Sequence, residues 1–581
     1  MTASEKPAQA CDIVMKGGIT SGVVYPLALV ELSKKFRFAN IGGTSAGAIA
    51  AAAAAAGEYG RGKAGAGFER LAQVPQEVGT NLLSMFQPKP VLRPLFNVFI
   101  AALNGESQWF AVVIAAICGY WLSVAVGVLP GVIVAVLALL FGWGAGFFLF
   151  GLLLAIVGLV VALIWRMWKA ANIDLVANDF GLCPGIRQSA SAPEGFTDWL
   201  ARLIQETAGR IVAADPLTFG DLDAPPDSAP PIQLAMMTTS LMEERPYTLP
   251  LDTGRFFFRR DEWEKIFPNE IMNFLVRTCG RFEPPAGEAG EFYHFPARAQ
   301  LPLIVAARMS LSFPGLISAV PLWTRDFTLV EAEREKLRRC LFSDGGLSSN
   351  FPIHFFDHLF PNTPTFAISL DEYDAKRNYS DVWLPESAGS GSQLPILPFS
   401  GLAAFLMRLV YSAKDWQDNL QSILPGYRER IVHVVLKPDE GGLNLTMDEE
   451  TIAKLVDYGK KAGTLLRDDF NLEEHRWRRF LVSMARMEET LDEVATAYAQ
   501  VPGKFGDFLD DFVRERAPYR QPAAPPEDKP PYTQDTKTRV DEMLKRADEL
   551  VALGTKWRTP PTIGGGNIPR PATHLRITPK Y

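Results

Sequence analysis

Phe38-Ala39-Asn40-Ile41-Gly42-Gly43-Thr44-Ser45-Ala46-Gly47-Ala48-Ile49-Ala50 runs from a short apolar segment, through a Gly-x-Ser-x-Gly pentapeptide, into alanines that continue to Ala56. The first segment predicts a strand over Phe38–Ile41 and the alanines predict a helix over Ala46–Ala56. A serine between them sits on a tight strand-to-helix turn with its hydroxyl exposed, the setting of a nucleophile elbow. Gly43 and Gly47 keep Cβ atoms out of the crowded turn. Ser45 then lies at a helix N-terminus, where free N–H groups and the helix dipole favour a developing negative charge. The pentapeptide alone arises often by chance, so the reading rests on what flanks it.

Upstream, Cys11–Met15 predicts a buried strand, Lys16–Gly22 a glycine turn and Val23–Lys34 a helix. With the elbow this makes a βαβα opening, the pattern of a parallel sheet with crossover helices. Downstream, strands are predicted over Ile232–Thr239, Thr365–Leu370 and Arg430–Leu436, with Met236 and Met237 as core residues. A further short strand, Cys340-Leu341-Phe342, runs into Ser343-Asp344-Gly345-Gly346. Helices are predicted over Thr197–Ala213, Pro302–Ser310 and Asp448–Asp468. Leu472–Gln500 has the apolar and charged faces of a helix packed on the main domain. Pro518–Pro531 reads as a linker, Arg539–Leu553 as a last helix and Thr559–Tyr581 as an extended Pro/Gly-rich tail.

Between the elbow and these elements, Ser107 to Trp165 carries no charged residue. The run far exceeds the ~18 apolar residues that identify a transmembrane helix. Trp109, Trp121, Trp143 and Trp165 punctuate it at positions suited to headgroup level. Two spans fit comfortably. Leu129-Pro130-Gly131 and Gly142-Trp143-Gly144-Ala145-Gly146 offer one turn and one kink. Lys89 and Arg93 precede the run, and Arg166 and Lys169 follow it, so both ends are expected on the cytoplasmic side.

Composition narrows the function classes. The 581 residues are 48% hydrophobic, with net charge −7 and a mean hydropathy of +0.05. No long basic run supports nucleic-acid binding. Five scattered cysteines without a Cys-x-x-Cys pair argue against a disulfide framework or a zinc ribbon. Met1–Ala10 has no apolar run, so no cleaved signal peptide is expected.

A serine nucleophile needs a base and an oxyanion site. Asp344, at the end of a short strand, is the candidate base. In a parallel sheet the strand C-termini share one edge, where Asp344 could meet Ser45. An ordinary Asp-Gly turn is the alternative. His354 and His358, four apart, would share a helix face, but the segment lacks the glutamate of a His-Glu-x-x-His site. His433 would complete a Ser-Asp-His chain order.

The chain resembles the patatin-like phospholipase family. The resemblance lies in Gly17-Gly18-Ile19-Thr20-Ser21-Gly22, Gly43-Thr44-Ser45-Ala46-Gly47, Ala306-Ala307-Arg308-Met309-Ser310-Leu311-Ser312-Phe313-Pro314-Gly315 and Asp344-Gly345-Gly346. It covers about residues 11–371, apart from the apolar insertion, with a weaker echo at Val434–Leu465. It implies a Ser45–Asp344 dyad without histidine. Ser45 attacks an acyl ester of a glycerolipid, Asp344 takes its proton, and the N–H groups of Gly17, Gly18 and Ile19 hold the oxyanion, without metal or cofactor. The family's glycine turn has a third glycine and a basic residue. Here Ile19 and Ser21 stand in those places, and Lys16 is the nearest charge.

The expected fold is α/β: a parallel-rich, patatin-like sheet flanked by helices. Residues 1–10 form a tail, and 11–105 and 169–470 the two parts of the catalytic domain. Residues 106–168 form an inserted transmembrane hairpin, 471–517 an amphipathic helical region, and 518–581 a linker, short helix and tail. The expected function is a membrane-anchored serine acyl hydrolase whose partners are bilayer phospholipids or other glycerolipids. The rivals are a membrane scaffold that has lost turnover and an acyltransferase.

Overall fold

The computed structural model describes residues 9–559 except 19, 104–108, 252–253, 286, 375, 377–379, 388, 438, 443 and 501–533. Gln9–Met15 and Phe36–Gly43 pair in parallel at the centre of a twelve-stranded sheet, counted among the described residues. Five adjacent strands run parallel, in the order Ile431–Leu436, Thr365–Glu372, Gln9–Met15, Phe36–Gly43 and Gln233–Ser240. Beyond them the sheet turns antiparallel, through Leu337–Asp344, Val320–Arg325, Phe257–Arg259, Phe292–His294 and Arg281–Phe282.

The sheet is therefore mixed, which corrects the expectation of a parallel-rich one. The antiparallel half escaped because most of its strands are two to six residues long, with little regular alternation. Such segments carry almost no periodic signal.

The elbow helix spans Ala46–Tyr59, and every residue from Ala50 to Ala56 is buried. Methyl side chains let this helix lie close on the sheet strand before it while Phe196–Thr207 packs over it. Glu449–Asp468 packs on Tyr25–Ser33, with Gly459 and Gly463 seated against the backbone of Val24 and Ala28. Met236 and Met237 are both buried.

In the apolar insertion, Trp109–Gly119 is followed by two helices long and apolar enough to cross a membrane, Trp121–Leu140 and Ala145–Lys169. The turn falls at Gly142 and Gly144, both in the left-handed region, and Pro130 lies inside the first long helix. Gly127 meets Gly158, and Gly131 meets Gly151 and Ala155, so the two helices are antiparallel with their backbones in close approach. Leu139, Leu153, Ile156, Val161 and Ile164 point outward and are exposed.

Leu472–Gln500 is anchored by Arg479, which donates to Asp357 (2.9 Å) and to the His358 carbonyl (2.8 Å). The last described helix, Gln534–Trp557, packs along it with Gly554 against the Leu491 carbonyl. The expected linker Pro518–Pro531 and the tail beyond Thr559 lie outside the described residues.

Candidate active site

Ser45 sits between strand and helix with φ +55° and ψ −127°, a conformation rare for a residue with a Cβ. Such backbone costs about 1–3 kcal/mol and persists only when its surroundings over-determine it. Here they do. A methyl group on Gly43 would collide with the Gly47 carbonyl, and one on Gly47 with the Met15 carbonyl. The Ser45 N–H donates to Ser310 Oγ at 3.2 Å. The helix begins at Ala46; the Ala48 N–H donates to the Ser45 carbonyl at 2.9 Å, which leaves the Ala46 and Gly47 N–H groups without an intrahelical acceptor.

Ser45 Oγ donates to Asp344 Oδ2 at 2.7 Å, across 299 residues of chain. Both residues are buried, at 4% and 2% exposure. The other carboxylate oxygen, Oδ1, accepts the Gly346 N–H at 2.6 Å. Burial pushes the Asp344 carboxyl up to about 6, against the opposing pull of Ser45, Gly346 and the Lys414 charge.

The two residues do not meet as strand ends on one parallel edge. Gly43 pairs with Met236, whereas Asp344 pairs with Thr238 from a strand running the other way. The aspartate descends to the level just beyond Gly43 while the serine rises to it. Gly345 lets the chain turn there, because a side chain would strike the Met237 carbonyl.

Beneath the pair lies a buried polar floor from Leu303–Ser310 and the residues after it. Arg308 is 1% exposed. Its guanidinium donates to Ser312 Oγ (2.6 Å) and to the carbonyls of Ser318 (2.8 Å) and Pro184 (3.1 Å). Burial pulls it down to about 9. The Ser312 carbonyl accepts the Asp344 N–H at 3.0 Å and the Ser343 hydroxyl at 2.8 Å. The Arg308-x-Ser310-x-Ser312 spacing thus places one hydroxyl under the Ser45 amide and one carbonyl under Asp344.

The glycine turn lies beside Ser45: a methyl group on Gly17 would come within 3.0 Å of the Ser45 Cβ. The Gly17 N–H, expected as an oxyanion donor, already donates to the Asn350 carbonyl at 2.7 Å. That carbonyl also accepts Thr44 Oγ1 at 3.0 Å. Among the described residues the Gly18 N–H has no acceptor, and Ile19 lies outside them. Sequence reading missed the element that holds this loop. Asp418, 5% exposed on the helix Gly401–Ser422, accepts Ser349 Oγ (2.8 Å), the Asn350 N–H (2.6 Å) and the Phe351 N–H (2.8 Å). A helical 22-residue run with mixed apolar and charged residues was the signal available for it.

The histidines lie elsewhere in the chemistry. His433 Nδ1 is bonded to Asp371 at 2.6 Å, and its ring stacks on Trp383. Lys16 pairs with the same Asp371 at 3.4 Å, so its charge is already partnered. His354 sits in a turn after Phe351 and His358 in the irregular backbone beyond it, not on a helix face. Among the described residues no group of three or more His, Cys, Asp or Glu is placed to hold a metal.

A narrow apolar cleft of about 70 Å³ reaches the elbow, lined by Gly22, Val23, Ala46, Ile49, Val78 and Leu82 among others. A larger cavity of about 420 Å³, near Trp383, Phe470 and His475, includes neither Ser45 nor Asp344.

A serine on a tight strand-to-helix turn, hydrogen-bonded to an aspartate, sits here in a mixed α/β fold with a large sheet flanked by helices. The chain belongs to the family of the RpoH suppressor of Rhizobium meliloti (strain 1021). The two are 35% identical over 653 aligned positions, covering 99% of each chain. No family profile matches the chain. Among solved structures it is similar to VipD from Legionella pneumophila, at 11% identity and a TM-score of 0.32, covering 94% of this chain and 88% of that one. It is also similar to the heterodimeric ExoU–SpcU complex from the type III secretion system of Pseudomonas aeruginosa. That likeness has 13% identity and a TM-score of 0.23, covering 88% of this chain and 68% of that one.

Proposed function

We propose that this protein is a membrane-anchored serine acyl hydrolase of the patatin-like type, acting on acyl esters of glycerolipids. The 2.7 Å hydrogen bond between Ser45 Oγ and Asp344 Oδ2 carries the reading. A carboxylate is ordinarily a weak base at neutral pH. Burial raises that of Asp344 to about 6, where it still ionises at pH 7 yet binds a proton more readily. Ser45 attacks the ester carbonyl as Asp344 accepts its proton. The acyl enzyme is then opened by water activated by the same carboxylate.

Charge on the carbonyl oxygen is met by backbone donors. Gly18, which has no acceptor among the described residues, and Ala46, at the helix N-terminus, are the best placed. The apolar cleft at Ala46 suits a fatty acyl chain. The two apolar helices anchor the site at the bilayer where such substrates are concentrated. Basic residues on both flanks favour a cytoplasmic-facing domain.

The test is fatty-acid release from phospholipid vesicles by the purified full chain, with fluorophosphonate labelling in parallel. Ser45→Ala should abolish labelling, and Ser45→Ala and Asp344→Asn should each lower release about a thousand-fold or more. Release that survives Ser45→Ala would refute the mechanism. No release and no labelling by the native chain would favour a scaffold.

A further inference from the structure

The helix Gly401–Ser422 turns an apolar face outward. Leu402, Phe405, Leu406, Leu409, Val410, Trp416 and Leu420 are all exposed, between 44% and 74%. At 3.6 residues per turn these seven fall within an arc of about 140°, along about 27 Å of helix. Ile396 and Phe399, just before the helix, are exposed as well. Asp418 lies on the opposite side, buried against the Ser349–Phe351 loop. An exposed apolar stripe of this size is not the scattered apolar surface of ordinary soluble domains.

We propose that Gly401–Ser422 is a second membrane contact, an interfacial helix that lies in the bilayer surface and brings the Ser45 site to its lipid. The proposal rests on the hydrolase reading for its purpose, though not for its geometry.

Three observations favour lipid over a folded partner. The apolar face is the convex side of a single helix, which a fluid phase accommodates readily. The same chain carries two apolar helices whose outward side chains are exposed, so a bilayer already contacts this molecule under the reading above. The face also carries an aromatic residue, Trp416, in its last two turns and is flanked by Arg408 and Lys414, a combination suited to the headgroup boundary.

The inner face joins this contact to the site. Asp418 holds the loop whose Asn350 carbonyl accepts Gly17 N–H and Thr44 Oγ1. Lys414 lies near enough to act on the Asp344 charge. A helix seated in the bilayer therefore fixes the glycine turn and the nucleophile's neighbour through two hydrogen-bonded steps.

The test uses the full chain in nanodiscs holding one copy each, with a fluorescent label on Leu406→Cys or Leu420→Cys in a Cys118→Ser background. Asn419→Cys, on the flank of the stripe, serves as the control. Brominated lipids should quench the labels on Leu406→Cys and Leu420→Cys by about half and the control label far less, as expected for a helix buried several ångströms into the interface. In a second arm, Leu406→Glu/Leu409→Glu should lower the ratio of vesicle to soluble short-chain ester turnover about ten-fold or more.

Unquenched labels would overturn the proposal. Labels protected only when two copies share a disc would overturn it in favour of a self-association face. A native chain that hydrolyses neither substrate would refute the hydrolase reading alone, since the quenching arm still decides where the helix lies.

Discussion

Arg308 donates to Ser312 Oγ at 2.6 Å, and Ser312 in turn accepts the Asp344 N–H through its carbonyl. The guanidinium is wholly buried and its hydrogen-bond acceptors are neutral oxygens. It is thus a spacer with three directed donors that fix the backbone under Asp344. Arg308→Met should leave the Ser312, Ser318 and Pro184 oxygens unmatched and lower stability by about 3 kcal/mol. Arg308→Lys, which keeps a charge but loses the fork, should fall between. Thermal unfolding of the full chain in detergent checks both, and the hydrolysis rate should drop in the same order.

The pH profile follows from Asp344. Its carboxyl is raised to about 6 by burial, so the carboxylate needed as base is lost as pH falls through that value. Turnover should rise from pH 5 to 7 and then level, with a midpoint of about 6. Lys414 opposes the rise, so Lys414→Met should move the midpoint upward. Stability should show the opposite trend. A carboxyl whose folded value is raised contributes stability that is full below its ordinary value, near 4, and is lost as pH rises through about 6. Asp344→Asn should flatten that part of the melting profile.

Gly43→Ala and Gly47→Ala each place a methyl group against a carbonyl oxygen at the elbow. Either should abolish probe labelling and lower the melting temperature by several degrees. Gly146→Ala, which meets nothing within 4 Å, should be silent by both measures.

The hairpin has its own close approach. Gly127 and Gly158 leave no room for side chains between the two long helices. Gly158→Leu should separate them and lower the unfolding free energy in detergent by about 1–3 kcal/mol. A variant that melts like the native chain would show that the helices do not pack in this way.

Much of the site was legible because its signals are local. A strand, a glycine pair and an alanine helix announce Ser45 within about a dozen residues, and the apolar insertion announces itself by composition. Asp344 was legible as a residue, though not in its route. An antiparallel approach depends on pairing with Thr238, and nothing near Asp344 in the sequence encodes that partner. Gly17 reads the same as Gly18 in one dimension. Only the arrival of Asn350, 333 residues away, distinguishes them. The helix Gly401–Ser422 passed unnoticed because its apolar stripe does not face a core, and core-facing periodicity is what a reading of elements looks for.

The placing of the hairpin also has a consequence for biosynthesis. The ribosome makes Ser45 first, then the two long apolar helices, and Asp344 only some 175 residues after the second of them ends. A nascent or truncated chain therefore carries Ser45 without Asp344. Under the hydrolase reading proposed above, chemistry waits until the two halves of the sheet have closed and Ser45 has met Asp344, so a cell that makes this chain is spared that activity at the ribosome.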